Sequence, residues 1–187
     1  MKNLIRVFIL TVCAATSFAQ SVDVMGGFNA ATITGEPGHS MRLGYYVGVG
    51  KDISISKQLS FRPEVYYSKE GAESDGTRRL TFHYVQMPLF FNYTFGKVGI
   101  AFGPQVGMLI GANYKTERGD RLPILPVMNK FDVAVGGGPY YKITEQLKVE
   151  VRAVFSITQF NTEEEETLRN RVIQAGVSWT ITNPGSK

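Results

Sequence analysis

The sequence lacks several features that would point to familiar classes of protein. Its single cysteine, Cys13, lies among the first twenty residues, so a chain that loses them has no disulfide, thiol nucleophile or cysteine metal ligand. Beyond them no apolar run approaches the roughly 20 residues that a membrane-spanning helix needs, and no segment has helical periodicity. Histidine occurs only at His39 and His83, and this spacing gives no metal-binding pattern.

Residues 1–19 predict a secretory signal peptide. Lys2 and Arg6 form a positive n-region, an apolar run covers 7–15, and a small-x-small site predicts cleavage between Ala19 and Gln20. We therefore expect two parts, the signal peptide 1–19 and one β-barrel domain over 20–187. Losing two cations lowers the formal net charge from +4 to +2, so the basic pI is no evidence for nucleic-acid binding.

What the chain does contain is strand-like alternation, which is clearest between Val85 and Gly111. Every second residue there is bulky and apolar, the residues between are small or polar, and Gly96-Lys97 divides the stretch into two strands. The small face is too rich in glycine and too poor in charge to be the solvated face of a soluble sandwich. We therefore predict that the bulky face meets lipid and the small face lines a narrow barrel.

Eight such strands are predicted along the chain, at 22–33, 42–55, 59–68, 85–95, 98–111, 130–143, 147–158 and 172–181. The links after the second, fourth and sixth strands are tight turns, whereas the other four are interpreted as long and polar. Transmembrane barrels have an even number of strands, short periplasmic turns and longer external loops. The sequence therefore predicts an all-β fold, an eight-stranded antiparallel up-and-down transmembrane β-barrel in the outer membrane, with both termini in the periplasm.

The inward face is predicted to carry balanced charges. With Asp23 included, five acidic and five basic residues fall on it, and the interior of an eight-stranded barrel is just wide enough for side chains to fill. Unpaired charges there would be costly, which predicts a network of paired side chains that plugs the lumen; the alternative is a selective ion path. The predicted lumen charge network is Arg42, Asp52, Arg62, Glu64, Asp132, Lys142, Lys148, Glu150 and Arg152.

The opposite face is predicted to contact outer-membrane lipid. The residues assigned to it are Val85, Met87, Leu89, Phe91, Val98, Ile100, Phe102, Val149, Val151 and Phe155. Aromatic residues near strand ends are interpreted as interfacial girdles, with ordinary core packing as the alternative: Tyr67, Tyr93, Phe95, Tyr141, Phe155 and Trp179. Prolines at 63, 88, 104 and 139 lack a ladder donor and predict bulges or unpaired positions.

Two stretches carry short motifs. In 43–72 a glycine-rich strand and a short turn lead into a "PE-x-x-Y-S-x-x-G" strand, and 83–96 holds a "Y-x-x-x-P-L" strand that ends at a phenylalanine-glycine turn. The matching residues are Pro63, Glu64, Tyr67, Ser68, Gly71, Tyr84, Pro88, Leu89, Phe95 and Gly96. Both stretches resemble the PorT-like outer-membrane β-barrel family of Gram-negative bacteria. The resemblance implies a barrel over the whole mature chain, insertion by the barrel-insertion machinery and no shared catalytic residues; the chain departs from it by continuing beyond Trp179.

No catalytic, cofactor-binding or metal-binding residue is predicted. No nucleophile-elbow motif marks a serine that could act with His83, and the acidic run 163–166 is interpreted as a solvated loop, with a cation site as the alternative. The leading interpretation is a monomer with a structural or interaction role, whose external loops contact an extracellular or secretion-system protein. The alternatives are a soluble lipocalin-like binder, which needs its aromatic face inside, a narrow channel, and a lipid-modifying outer-membrane enzyme.

Overall fold

The computed structural model describes residues 21–34, 39–74, 78–115, 121–123, 129–158 and 169–182. The predicted signal peptide, the cleavage site between Ala19 and Gln20, and the acidic run 163–166 lie outside these ranges. No helix in the described ranges is long and apolar enough to cross a membrane.

The described residues form eight long β-strands and two short ones. The long strands are β1 (Ser21–Thr34), β2 (His39–Gly50), β3 (Leu59–Ser74), β4 (Arg78–Phe95), β5 (Val98–Lys115), β6 (Phe131–Lys142), β7 (Leu147–Ser156) and β8 (Arg169–Thr182). The short strands pair at their edges, Ile53–Ser54 with β3 and Arg121–Pro123 with β5.

The eight long strands close into a ring. Each pairs antiparallel with its neighbours in sequence, and β1 pairs with β8 from Ser21 opposite Thr182 to Thr34 opposite Arg169. Closure leaves none of these strands as a free edge, which is how a barrel satisfies all of its backbone hydrogen bonds. The predicted eight-stranded antiparallel up-and-down barrel is therefore confirmed.

The tight turns lie together at one end of the barrel, which we call the turn end; the opposite end is the loop end. Two turns are each joined to the end of an adjoining strand by a hydrogen bond of 2.8 Å, from the Thr94 amide of β4 to the Gln58 carbonyl and from the Thr180 amide of β8 to the Gln146 carbonyl. Gly96 has a φ of +60°, a left-handed conformation that glycine adopts without steric cost. The link between β4 and β5 can therefore be only two residues long.

At the loop end, β3 and β4 extend further than predicted. Residues 69–74 and 78–79, interpreted as parts of a polar loop, are paired strand, from Lys69 opposite His83 to Ser74 opposite Arg78. Only three residues separate β3 from β4 and four separate β1 from β2, so the prediction of long links is wrong at these two places. The reason is physical: the inner face of this barrel is itself polar, so polarity does not distinguish its strands from loops.

Three of the four in-strand prolines coincide with gaps in the ladders and not with bulges. The β3–β4 ladder skips the position of Pro88, the β4–β5 ladder that of Pro104 and the β6–β7 ladder that of Pro139, and none of these registers changes across the gap. The register shifts lie elsewhere, at 41–45 in β2 and at 83–84 in β4. The expectation of unpaired positions therefore holds at these three prolines without bulges, whereas Pro63 stays paired with Leu89.

Candidate functional site

The inner face carries a connected group of charged side chains near the turn end, centred on Arg62 of β3. Arg62 is 1% exposed; its Nη1 lies 3.2 Å from a carboxylate oxygen of Asp23 and 3.2 Å from one of Asp52, and its Nε lies 2.7 Å from Glu64 Oε1. Glu64 follows two residues along the same strand, so strand alternation places both side chains on one face. One guanidinium thus joins carboxylates from β1, β3 and the link after β2.

Glu64 connects Arg62 to a second buried guanidinium, that of Arg152 in β7. Arg152 Nη1 donates to Glu64 Oε2 at 2.6 Å, and its Nη2 donates to Glu64 Oε1 and Glu150 Oε1, both at 2.7 Å. The guanidinium also lies 5.0 Å from the ring centre of Phe90. β3 and β7 are four steps apart in the ring of eight, so this bidentate pair joins opposite walls of the barrel.

The charged group meets solvent at the turn end. Lys148 Nζ lies 3.7 Å from Asp52 Oδ2, and Asp52 Oδ1 also accepts hydrogen bonds from Asn92 at 2.7 Å and Ser60 at 3.2 Å. The Asp52 side chain is 41% exposed, whereas that of Glu64 is fully buried. A cavity of about 140 Å³ opens beside Asp52 and Lys148, so the charges pass from a dry interior to a wet mouth.

The structure brings six of the nine predicted network residues together, and Asp23 joins them. We call these seven the lumen network: Asp23, Asp52, Arg62, Glu64, Lys148, Glu150 and Arg152. Asp132 lies elsewhere and accepts hydrogen bonds from Ser156 Oγ at 2.9 Å and Thr158 Oγ1 at 2.5 Å. Lys142 lines the turn-end cavity.

Arg42 lies in a different place from the one that alternation predicts. The β2–β3 register shifts by one residue between Met41 and Tyr45, and alternation does not carry across such a bulge. The Arg42 guanidinium donates to the Leu80 carbonyl and the Thr81 hydroxyl, which lie at the loop end. The structure therefore places Arg42 apart from the lumen network.

Two buried polar residues fall in segments that the sequence patterns assign to loops. Glu70 of β3 and Asn170 of β8 are both almost fully buried, and Asn170 Nδ2 donates to Glu70 Oε2 at 2.5 Å. The alternation of inward and outward residues in β3 could have identified Glu70 as an inward residue. Glu64, Tyr66 and Ser68 all face inward, and the same alternation continues two residues further.

Toward the loop end the interior is mostly apolar. One buried cluster comprises Ala72, Phe82, Tyr84, Leu109 and Ala112, and a second comprises Ala31, Ala134, Val154 and Val172. Neutral hydrogen bonds cross the space between these clusters and the lumen network. The Tyr66 hydroxyl donates to Gln105 Oε1 at 2.9 Å, and Asn29 Nδ2 donates to the Ser68 hydroxyl at 2.9 Å.

Inward-facing glycines make room for two tyrosines. A Cβ atom on Gly99 would lie 2.2 Å from the ring of Tyr140, and one on Gly176 would lie 2.2 Å from the hydroxyl of Tyr46. The Tyr140 hydroxyl is held by Thr94 Oγ1 at 2.6 Å. Because these glycines have no side chain, large side chains from neighbouring strands can occupy the space above them in the lumen.

The outer face is apolar. Seven of the ten residues predicted to face lipid have exposed side chains: Met87, Phe91, Val98, Ile100, Phe102, Val151 and Phe155. Val85, Leu89 and Val149 are half-buried on the same face. Aromatic rings pack side by side across three strands there, with 5.4 Å between the ring centres of Phe61 and Phe91 and 6.3 Å between those of Phe91 and Phe102.

The described residues include His83, which the sequence suggested as a partner for a catalytic serine. They include no group of three or more His, Cys, Asp or Glu residues that could hold a metal ion. His83 Nδ1 lies 2.5 Å from the hydroxyl of Tyr67, and the two rings stack at 6.0 Å. The histidine considered as a partner for a nucleophile thus has a tyrosine as its neighbour.

A closed ring of strands with apolar side chains outside and ion pairs inside reverses the polarity of a water-soluble barrel. Only helices and closed barrels satisfy their backbone in hydrocarbon, and an outward apolar band with a polar interior defines a transmembrane β-barrel. The sequence comparison agrees, because residues 18–161 match the family model described as an outer membrane protein beta-barrel domain. The chain belongs to this family of outer-membrane β-barrel proteins.

Solved structures show the same fold. Neisserial surface protein A is similar with a TM-score of 0.62 and 14% sequence identity, over 84% of this chain and 96% of that one. Ail, the attachment invasion locus protein of Yersinia pestis, is similar with a TM-score of 0.54 and 10% identity, over 87% of this chain and 99% of that one. No curated protein matches the sequence significantly.

Proposed function

We propose that this protein is an outer-membrane barrel whose lumen is plugged by its own side chains and whose role is structural or interactive, not catalytic. The observation that carries the proposal is the lumen network, in which Glu64 joins Arg62 to Arg152 between opposite walls. Its three cations and four carboxylates are linked by contacts of 3.7 Å or less. A bidentate Arg–Glu pair fixes both side chains, which leaves little freedom for a conducting path.

Planar bilayer recording tests the plug. The wild-type protein is expected to show no unitary conductance, whereas Glu64→Ala/Arg152→Ala should conduct, because it removes the pair that joins opposite walls. Val151→Ala, which shortens an outward side chain of the same strand, serves as the control and should stay silent. Unitary conductance of the wild-type protein would contradict the plug and support the narrow channel instead.

The interaction role is assigned to the loop end. The links after β5 and β7 span residues 116–130 and 157–168, both longer than any link at the turn end, and we propose that they are extracellular and contact an extracellular or secretion-system protein. Both termini would then be periplasmic. A cysteine introduced within 113–129 should react with a membrane-impermeant maleimide on intact cells. A cysteine at Lys97, in a turn, should not; the reverse result would invert the orientation.

We further propose that the protein matures by cleavage of a signal peptide and is then inserted into the outer membrane. Cleavage between Ala19 and Gln20 would release residues 20–187, which the barrel-insertion machinery would place in the membrane as a monomer. The motif residues Pro63, Glu64 and Tyr67 support a position close to the PorT-like barrels within the wider family. Intact mass of the purified protein tests the cleavage site, and light scattering in detergent tests the monomer.

The soluble lipocalin-like alternative is not proposed. It needs the aromatic face inside and the charged face outside, but Phe102 is 55% exposed and Arg62 is buried. No contact among the described residues favours a lipid-modifying enzyme, and lipid A that is unchanged after deletion of the protein would agree with a non-catalytic role.

A further inference from the structure

A basic groove lies on the outer face at the loop end, where β3, β4 and β5 run past the apolar surface. Its volume is about 230 Å³. We define the basic groove by six of its lining residues: Arg42, Lys69, Arg79, Thr81, Asn113 and Lys115.

The register of the three strands explains the concave shape. Gly71 of β3 pairs with Thr81 of β4, and Gly111 of β5 pairs with His83 of β4. At the two glycine positions no side chain covers the surface. Arg42 crosses the first of them, since its Nη1 would lie 3.0 Å from a Cβ on Gly71, and reaches the Thr81 hydroxyl.

The described lining of the basic groove is positively charged. It includes four Lys or Arg side chains and no Asp or Glu. Four cations that share a small concavity favour a ligand with more than one negative charge.

The basic groove begins where the apolar outer face ends. At this boundary the Tyr67 hydroxyl contacts His83 Nδ1, and Lys69 Nζ lies 5.9 Å from the ring centre of Tyr45. Outward aromatic residues of transmembrane barrels concentrate where hydrocarbon meets headgroups, and lysine keeps its charged end in the polar layer. The basic groove is therefore at the depth of the headgroups in the leaflet at the loop end.

We propose that the basic groove binds the phosphate-bearing headgroup of a membrane lipid in that leaflet. Arg and Lys bind phosphate oxygens through charge-assisted hydrogen bonds, and basic clusters beside a membrane surface select anionic headgroups. Thr81 and Asn113 supply neutral hydrogen-bonding groups for the same ligand. The inference deepens the proposed function by naming a lipid class, and it rests only on the membrane-spanning barrel, not on the plug or on an extracellular partner.

Lipid retention by the full chain tests the proposal. The barrel is reconstituted in phosphatidylcholine nanodiscs that contain a minor fraction of diphosphorylated lipid A, extracted in mild detergent, and analysed by native mass spectrometry. Lys69→Gln/Arg79→Gln should lower lipid A retention roughly tenfold or more, because each cation near a membrane surface contributes to the binding of anionic lipid. Lys57→Gln/Lys97→Gln removes the same charge from the turns and should retain lipid A like the wild type.

A variant with the opposite change in charge controls for misfolding. Asn113→Lys adds a fifth cation to the lining of the basic groove and should increase retention about fivefold, a gain that a folding defect cannot produce. Equal retention by the two double variants, or equal retention of dephosphorylated lipid A, would overturn the proposal. Complete displacement of lipid A by inositol hexaphosphate would also overturn it, by assigning the groove to a soluble polyanion. The conductance and labelling tests do not involve this groove, so their failure is distinguishable.

Discussion

The two halves of the barrel interior are built differently, although the same eight strands enclose both. The turn-end half holds the lumen network, in which every charged side chain contacts at least one of opposite charge. In the loop-end half apolar clusters fill the space, and the buried carboxylates of Glu70 and Asp132 accept hydrogen bonds from an amide and from hydroxyl groups. Burial alone therefore does not set the energetic role of a carboxylate; its partners do.

The largest expected effect comes from a comparison of the same substitution, Glu to Gln, at two positions of β3, one in each half of the interior. Glu64→Gln leaves Arg62 and Arg152 without a shared carboxylate and should lower the free energy of unfolding by about 3–5 kcal/mol, the usual cost of breaking a buried ion pair. Glu70→Gln keeps an acceptor oxygen for Asn170 and should cost only about 0.5–1.5 kcal/mol. Urea titration in lipid vesicles, followed by the fluorescence of Trp179, the single tryptophan, measures both. Equal losses would abolish the distinction between the halves.

The two ends of the barrel also differ in how much space surrounds their glycines. Gly99→Ala would place a methyl group 2.2 Å from the Tyr140 ring in the turn-end half and should cost about 1–3 kcal/mol through overpacking. Gly111→Ala, on the outer surface at the loop end, has its nearest neighbour at 3.3 Å, an atom of His83, and should change stability by less than about 1 kcal/mol. The same urea titration checks both variants. A mild Gly99→Ala together with a severe Gly111→Ala would show that the outer surface at the loop end is packed more tightly than the turn-end interior.

The faces of the strands could be predicted from the sequence because the pleat leaves only two choices. Once Arg62 and Glu64 are assigned to a strand whose alternate residues are apolar, period two places both of them inside. The closure of the barrel could be predicted from the same pattern. Strands that present an apolar face to lipid must form a closed barrel, because a membrane-spanning sheet cannot have a free edge. The ring of eight strands confirms this part of the prediction.

The partners of the inward residues could not be predicted, and neither could the position of Arg42. Glu64 meets Arg152 across 88 residues of sequence because strand tilt and stagger decide which inward residues share a level. Arg42 is displaced by a bulge that leaves no mark in the pattern. The loop-end part of β3 was missed because Glu70 is polar like a loop residue, yet its side chain is buried inside the barrel, where Asn170 donates to it.

The smallest expected effect lies where the lumen network reaches solvent. Lys148→Met removes a charge 3.7 Å from Asp52, whose side chain is 41% exposed, while an apolar stem can still pack on the Tyr140 ring that Lys148 covers at 5.0 Å. The Lys148 side chain is only 8% exposed, but its partner Asp52 is solvated and the contact is long, so the loss should stay under about 1 kcal/mol. It should vanish in 1 M salt, where the Debye length is about 3 Å, whereas the loss in Glu64→Gln should persist because buried pairs are screened much less. A loss in Lys148→Met as large and as independent of salt as that in Glu64→Gln would mean that the mouth is as dry as the interior, and the contrast between the halves would then extend through the whole turn end.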